Sequence, residues 1–217
     1  ERALNAFTSI GGTEGSLVEV VKSGEMVKDK ESAKVNLVRI GHESTIVDII
    51  GAFNFCRSLK EYVTNGFNWP IGLLNAQSIE DFRKNLMLVE AKEQPSAEDI
   101  QNGHVPQELW WVMAGDSELI GMVKLQRMLT PALLQSGGHI ACGLAPIHRG
   151  KGYGTAALKL ALEKCRHYGL QEALVTTYVS NFASRRMIEK VGGLAWSSSK
   201  GDDCQEHARY WVPCRHL

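Results

Sequence analysis

Apolar and polar residues alternate through VNLVRI from Val35, the pattern of a half-buried strand, and then take helical i, i+3, i+4, i+7 spacing at Ile46, Ile49, Ile50 and Phe53. A second helix is marked by Ser78 as N-cap, Asp81 three residues later, and Phe82, Leu86 and Val89 along one face. Between them NGFNWPIGLLN reads as loop, as does the polar, punctuated KEQPSAEDIQNGHVPQ further on. Two apolar runs in LWWVMAGDSELIGMVKLQRML, parted by Gly-Asp-Ser, predict an antiparallel hairpin.

TPALLQSGG is expected to be a connector and HIACGLAP a strand ended by Pro146. Beyond Gly150, Leu158, Leu162 and Cys165 share one helical face up to Gly169. EALVTTYV is a β-rich run, NFASRRMIEKVGG a helix opened by Ser180 or Asn181 and closed by Gly192, and LAWSSS and ARYWV are two final strands. The chain is therefore expected to be mixed α/β. Residues 1–34, rich in Gly, Ser and charge, are set apart as an N-terminal extension without an assigned role, and residues 35–217 are read as one domain.

A length of 217 residues suits one embellished domain. Lys plus Arg equal Asp plus Glu at 24 each, so no global field favours nucleic acid or an anionic membrane. An anion must be held locally. No apolar run approaches the ~18 residues of a membrane span, and the first residues lack a basic-then-apolar leader pattern. Five scattered cysteines with no CxxC pair argue against a disulfide framework and a zinc site. The expectation is a soluble, cytoplasmic protein with no metal.

The segment HRGKGYGTAAL carries Gly150, Gly152 and Gly154 between a strand and a helix. A glycine-rich turn there presents unpaired N–H groups and the positive end of the helix dipole, a site suited to phosphate. Arg149 or Lys151 can add charge-assisted bonds. The P-loop register fails, with Ala145 at the first Gly and Gly152 where a hydroxyl belongs. The dinucleotide register G-x-G-x-x-G fails at Thr155.

LAPIHRGKGYG, from Leu144 to Gly154, instead resembles the acetyl-CoA signature of the GNAT N-acetyltransferase superfamily, with Arg149, Gly152 and Gly154 at the fixed places of [RQ]-x-x-G-x-[GA]. A second block of that family, N-x-x-[AS] opening a helix that ends Glu-Lys-x-Gly, is matched by Asn181, Ser184, Glu189, Lys190 and Gly192. The likeness is closest from Leu109 onward and is similar to an uncharacterised branch of predicted acetyltransferases. It implies a twisted, mainly antiparallel sheet flanked by helices, its central strands splayed to admit acetyl-CoA. It also implies backbone bonds from Cys142, Gly143 and Leu144 to the pantetheine arm. Arg149, Gly150, Lys151, Gly152, Tyr153, Gly154 and Thr155 would cradle the pyrophosphate, and Asn181 and Ser184 would bind the far side of the pantetheine or the thioester region.

The reaction so implied is direct attack by a primary amine, on a small molecule or peptide, upon the acetyl thioester. A homodimer is compatible with it. Many relatives place a proton-donating tyrosine four residues after the small residue matched by Ser184, and here Ile188 stands there. Tyr178 is the substitute expected as acid and His139 the expected base. The alternative is a CoA-binding module without turnover. Glu108, Glu118 and Arg185-Arg186 are read as solvated charges, and Tyr62 to Gln107 as part of the acceptor pocket.

Overall fold

The computed structural model describes residues 33–59, 70–115, 117–201 and 204–215. One twisted sheet holds strands β1 (Val35–Val38), β2 (Gln107–Ala114), β3 (Glu118–Gln126), β4 (Ile140–Leu144), β5 (Glu172–Tyr178), β6 (Leu194–Lys200) and β7 (Glu206–Pro213). Their order is β1-β2-β3-β4-β5-β7-β6, and every neighbouring pair is antiparallel except β4 with β5.

Alternation along the hairpin sorts its side chains: Leu109, Trp111 and Met122 face one way, and Val112, Val123 and Leu125 the other. Helices α1 (Ile46–Leu59), α2 (Ile71–Asn75) and α3 (Ile79–Ala91) close the first face, setting Ile49, Phe53, Leu73, Phe82 and Leu86 around Trp111. Each such fully buried side chain contributes roughly 1.5–3 kcal/mol. A short α4 (Ala97–Gln101) lies in the connection to β2. The second face is closed by α5 (Tyr153–His167) through Ala157, Leu158, Ala161 and Leu162, and by α6 (Phe182–Lys190) through Ile188.

The mixed α/β architecture, the hairpin and the last two helices match the expectations from sequence. Several local readings need correction. In α1 the buried stripe is Ile49, Ala52, Phe53 and Cys56, leaving Ile46 and Ile50 exposed. NGFNWPIGLLN contains α2, entered through Pro70, whose fixed φ of −64° suits a helix start. The polar stretch before β2 contains α4, held by a reciprocal cap in which Ser96 Oγ accepts from Asp99 N and Asp99 accepts from Ser96 N. TPALLQSGG is helical rather than a plain connector, ending in a wide turn over Leu133–Gly137. Each of these is a helix of one or two turns, too short to declare an apolar period. Asp116 in the hairpin turn and residues 60–69 lie outside the described residues, as does the expected extension up to residue 32.

Candidate active site

Strands β4 and β5 share a single register pair, Ile140 with Val175. On its N-terminal side the contact is reinforced: His139 N donates to Leu174 O at 2.7 Å, and Leu174 N donates to His139 Nδ1 at 2.9 Å. On its C-terminal side the strands part. From Cys142 to Leu144 strand β4 pairs with β3 alone, so its other backbone edge faces open space.

A cavity of about 320 Å³ fills that gap. Its lining includes Leu158, Met187 and Ile188 from the side of α5 and α6, and Lys124, Gln126 and Tyr178 from the opposite side. Positions 122, 124 and 126 of β3 share the face of Met122. The cavity thus passes through the sheet from one face to the other.

At the C-terminal end of β4 the chain makes a tight turn over Pro146–His148 and is braced by Arg149 Nε donating to Leu144 O at 3.0 Å. Gly150 and Gly152 follow with φ of +74° and +86°, a left-handed backbone that an L side chain enters only with strain. No backbone N–H from Gly150 to Thr155 finds a hydrogen-bond partner among the described residues. These donors sit at the positive end of the 15-residue α5. Together they form an anion cradle. Gly154 serves packing instead, since a Cβ there would come 2.9 Å from Met187 Sδ, and its absence lets α5 and α6 approach.

Of the residues singled out in the sequence, Cys142, Tyr178, Asn181 and Ser184 line the cavity, while Gly143 and Leu144 continue the β4 edge toward the cradle. Asn181 caps α6, its Oδ1 accepting from Ser184 N at 3.1 Å. Burial pushes the Cys142 thiol up to about 12, so it stays protonated and is no nucleophile. Ile188 is buried and reaches the cavity as plain apolar wall.

His139 does not line the cavity; its ring lies 6.2 Å from that of Trp211, and its Nδ1 lone pair is taken by Leu174 N–H. That bond selects the neutral tautomer with its proton on Nε2, and burial holds the ring's pKa below 6.5. His139 pins β4 to β5.

Two charge readings also change. Glu108 is buried, its Oε2 accepting from Trp110 Nε1 at 3.0 Å and Tyr168 OH at 2.6 Å, with Arg39 at 3.8 Å. Arg185 is held by Tyr210 OH at 3.0 Å and Val179 O at 3.2 Å rather than solvated.

Among the polar residues that line the cavity and that the sequence did not single out are Lys124, Gln126 and His207. His207 pairs with Tyr178 across β5 and β7, and the two ring centroids are 4.8 Å apart. Lys124 pairs with Leu109 and Ala141, and burial, then the nearby charge of Lys92, holds its ammonium below the usual lysine range. In sequence Lys124 is one polar position of an alternating strand and His207 one histidine among seven, so neither carries a local signal.

The Acetyltransferase (GNAT) family profile matches residues 76–193, more than half of the chain, and the chain belongs to that family. Solved structures share its fold. RimL, a ribosomal alpha-N-protein acetyltransferase in complex with coenzyme A, superposes with a TM-score of 0.60 at 14% identity, over 86% of this chain and 97% of its own. The microcin self-immunity acetyltransferase MccE, in complex with acetyl-CoA and AMP, gives 0.56 at 13% identity over 82% and 92%. A dodecameric spermidine N-acetyltransferase from Vibrio cholerae gives 0.53 at 16% over 83% and 94%. A search of curated proteins by sequence finds no match. Among the described residues no helix is long and apolar enough to cross a membrane.

Proposed function

We propose that this protein moves the acetyl group of acetyl-CoA to a primary amine by direct attack. The observation that carries the reading is the through-sheet gap beyond Ile140 and Val175, with the anion cradle at the C-terminal end of β4. An amide cradle with two left-handed glycines fits a pyrophosphate, and the open edge of β4 fits the amide groups of a pantetheine arm lying as an added strand. Each hydrogen bond to the charged pyrophosphate contributes about 1.5–3 kcal/mol, against roughly 0.3–1 for the helix dipole, so the amides dominate.

Bound acetyl-CoA supplies an activated thioester. The chain's own residues then orient and exchange protons. Cys142 and Leu144, whose backbone groups point away from β3, hold the arm while Gly143 is bonded toward Met122, Arg149 to Thr155 hold the phosphates, and Asn181 and Ser184 border the far side. Tyr178, on the cavity wall, donates a proton to the departing sulfur. His207, the one imidazole among the described residues lining the cavity, accepts the proton of the incoming ammonium directly or through water. Both stand on the acceptor side of the sheet, opposite α5 and α6.

Ile188 in place of a tyrosine motivates the second reading, a CoA-binding module without turnover. Release of free thiol from acetyl-CoA in the presence of an amine panel separates them. Amine-dependent release supports transfer; acetyl-CoA binding with no release under any amine supports the module.

A further inference from the structure

A second cavity of about 790 Å³ lies between α3, the segment around α4, and the β2–β3 hairpin. It meets the first at Lys124, Gln126, Ala132 and Leu133, which line both. An acceptor that occupies it therefore lies directly beside the through-sheet gap.

The ionisable groups lining this second cavity are Lys92, Lys124, Asp99, Glu108 and His104, and they differ in whether they have partners. Its two carboxylates are already engaged: Asp99 accepts from Ser96 N at 3.0 Å and Ser96 Oγ at 2.7 Å, and Glu108 is held by Trp110, Tyr168 and Arg39. Lys124 on the floor and Lys92 near the rim have neither a carboxylate nor a hydrogen-bond acceptor among the described residues. The two ammonium groups repel each other, and Lys124 is also largely withdrawn from water. A partly desolvated cation with a like-charged neighbour is relieved by an anion and worsened by another cation. Ile71, Leu88, Val105 and Leu109 give the cavity an apolar wall, beside the neutral polar Gln107, Gln126 and Thr130.

We infer that the acetyl acceptor is an amine that also carries a carboxylate or comparable anionic group, received between Lys124 and Lys92, and not a polycationic amine. This rests on the acetyl-transfer reading above and deepens it. The apolar walls take the carbon skeleton that joins the two polar ends.

The test compares molecules that differ only in the anion. Calorimetric titration of the full chain, with and without saturating CoA, uses N-acetylleucine against N-isoamylacetamide, and 6-acetamidohexanoate against N-hexylacetamide. At least one carboxylate is expected to bind about tenfold or more tightly than its neutral twin. Lys124→Met and the exposed, readily tolerated Lys92→Met should each remove most of that advantage. In parallel, leucine or 6-aminohexanoate should surpass isoamylamine, hexylamine and spermidine in kcat/KM.

The inference is overturned if no carboxylate binds better than its neutral twin, if the advantage survives both substitutions, or if spermidine is the preferred acceptor. Failure of the cofactor reading looks different: CoA does not bind, while carboxylates still bind the CoA-free protein in a lysine-dependent way.

Discussion

Ile140 on β4 and Val175 on β5 form the one register pair between the two parallel strands, and the sheet opens immediately beyond them. Cys142, two residues along β4, lines the resulting cavity. A large ring at that position occupies the space assigned to the pantetheine arm. Cys142→Phe is therefore expected to abolish acetyl-CoA binding, with an overpacking cost of about 1–3 kcal/mol in a denaturant melt. Cys142→Ala should retain turnover within about twofold, because a thiol held protonated takes no covalent part. Loss of activity in Cys142→Ala would reassign the residue.

Gly152 tests the cradle. Its φ of +86° and its place at the start of α5 make Gly152→Val both strained, by roughly 1–2 kcal/mol, and obstructive to an approaching phosphate. Acetyl-CoA affinity should fall about tenfold or more while the circular dichroism spectrum stays folded. Unchanged affinity removes the loop from the binding site.

Tyr178 and His207 share the proton work in the proposed reaction. Tyr178→Phe keeps the ring and removes the hydroxyl, so kcat should drop about a hundredfold or more with little change in acetyl-CoA affinity. His207→Gln should lower kcat/KM with little change in acetyl-CoA affinity. Full turnover in either variant ends that residue's part.

His139 belongs to stability instead. Its folded pKa lies below 6.5, so as pH falls through 6.5 the unfolded chain takes up the proton before the folded chain does. Its contribution is constant above that pH and turns against the fold on acidification, until the folded ring is itself protonated. Urea unfolding from pH 8 to 5 should show stability rising with pH over this window, with a shallower slope in His139→Gln. Removing the bond to Leu174 N–H should also lower stability at pH 8 by about 1–3 kcal/mol. A His139→Gln variant equal to the native protein at both ends of the range contradicts the pin.

Local signals account for what was legible in the sequence. Gly150 and Gly152 fix a backbone conformation, Ser78 caps α3, and Asn181 caps α6, each through chemistry that spans a few residues. The surroundings of Lys124 and Glu108 were illegible for the opposite reason. Lys124 is distinguished by what β2, β4 and α3 bring around it, and Glu108 is buried by Trp110, Tyr168 and Arg39, which lie up to 69 positions away along the chain. The bond by which His139 joins β4 to β5 was not legible, because its lone pair is used by a residue 35 positions on.

The most direct measurement is calorimetric titration of the folded protein with acetyl-CoA, with ATP and NAD as controls. The expected result is saturable binding of acetyl-CoA that is lost in Gly152→Val and Cys142→Phe, with no comparable binding of ATP or NAD. A folded sample that ignores acetyl-CoA, or that binds it equally well with the gap filled and the cradle obstructed, contradicts the claim that the opening between β4 and β5 is the acetyl-CoA site.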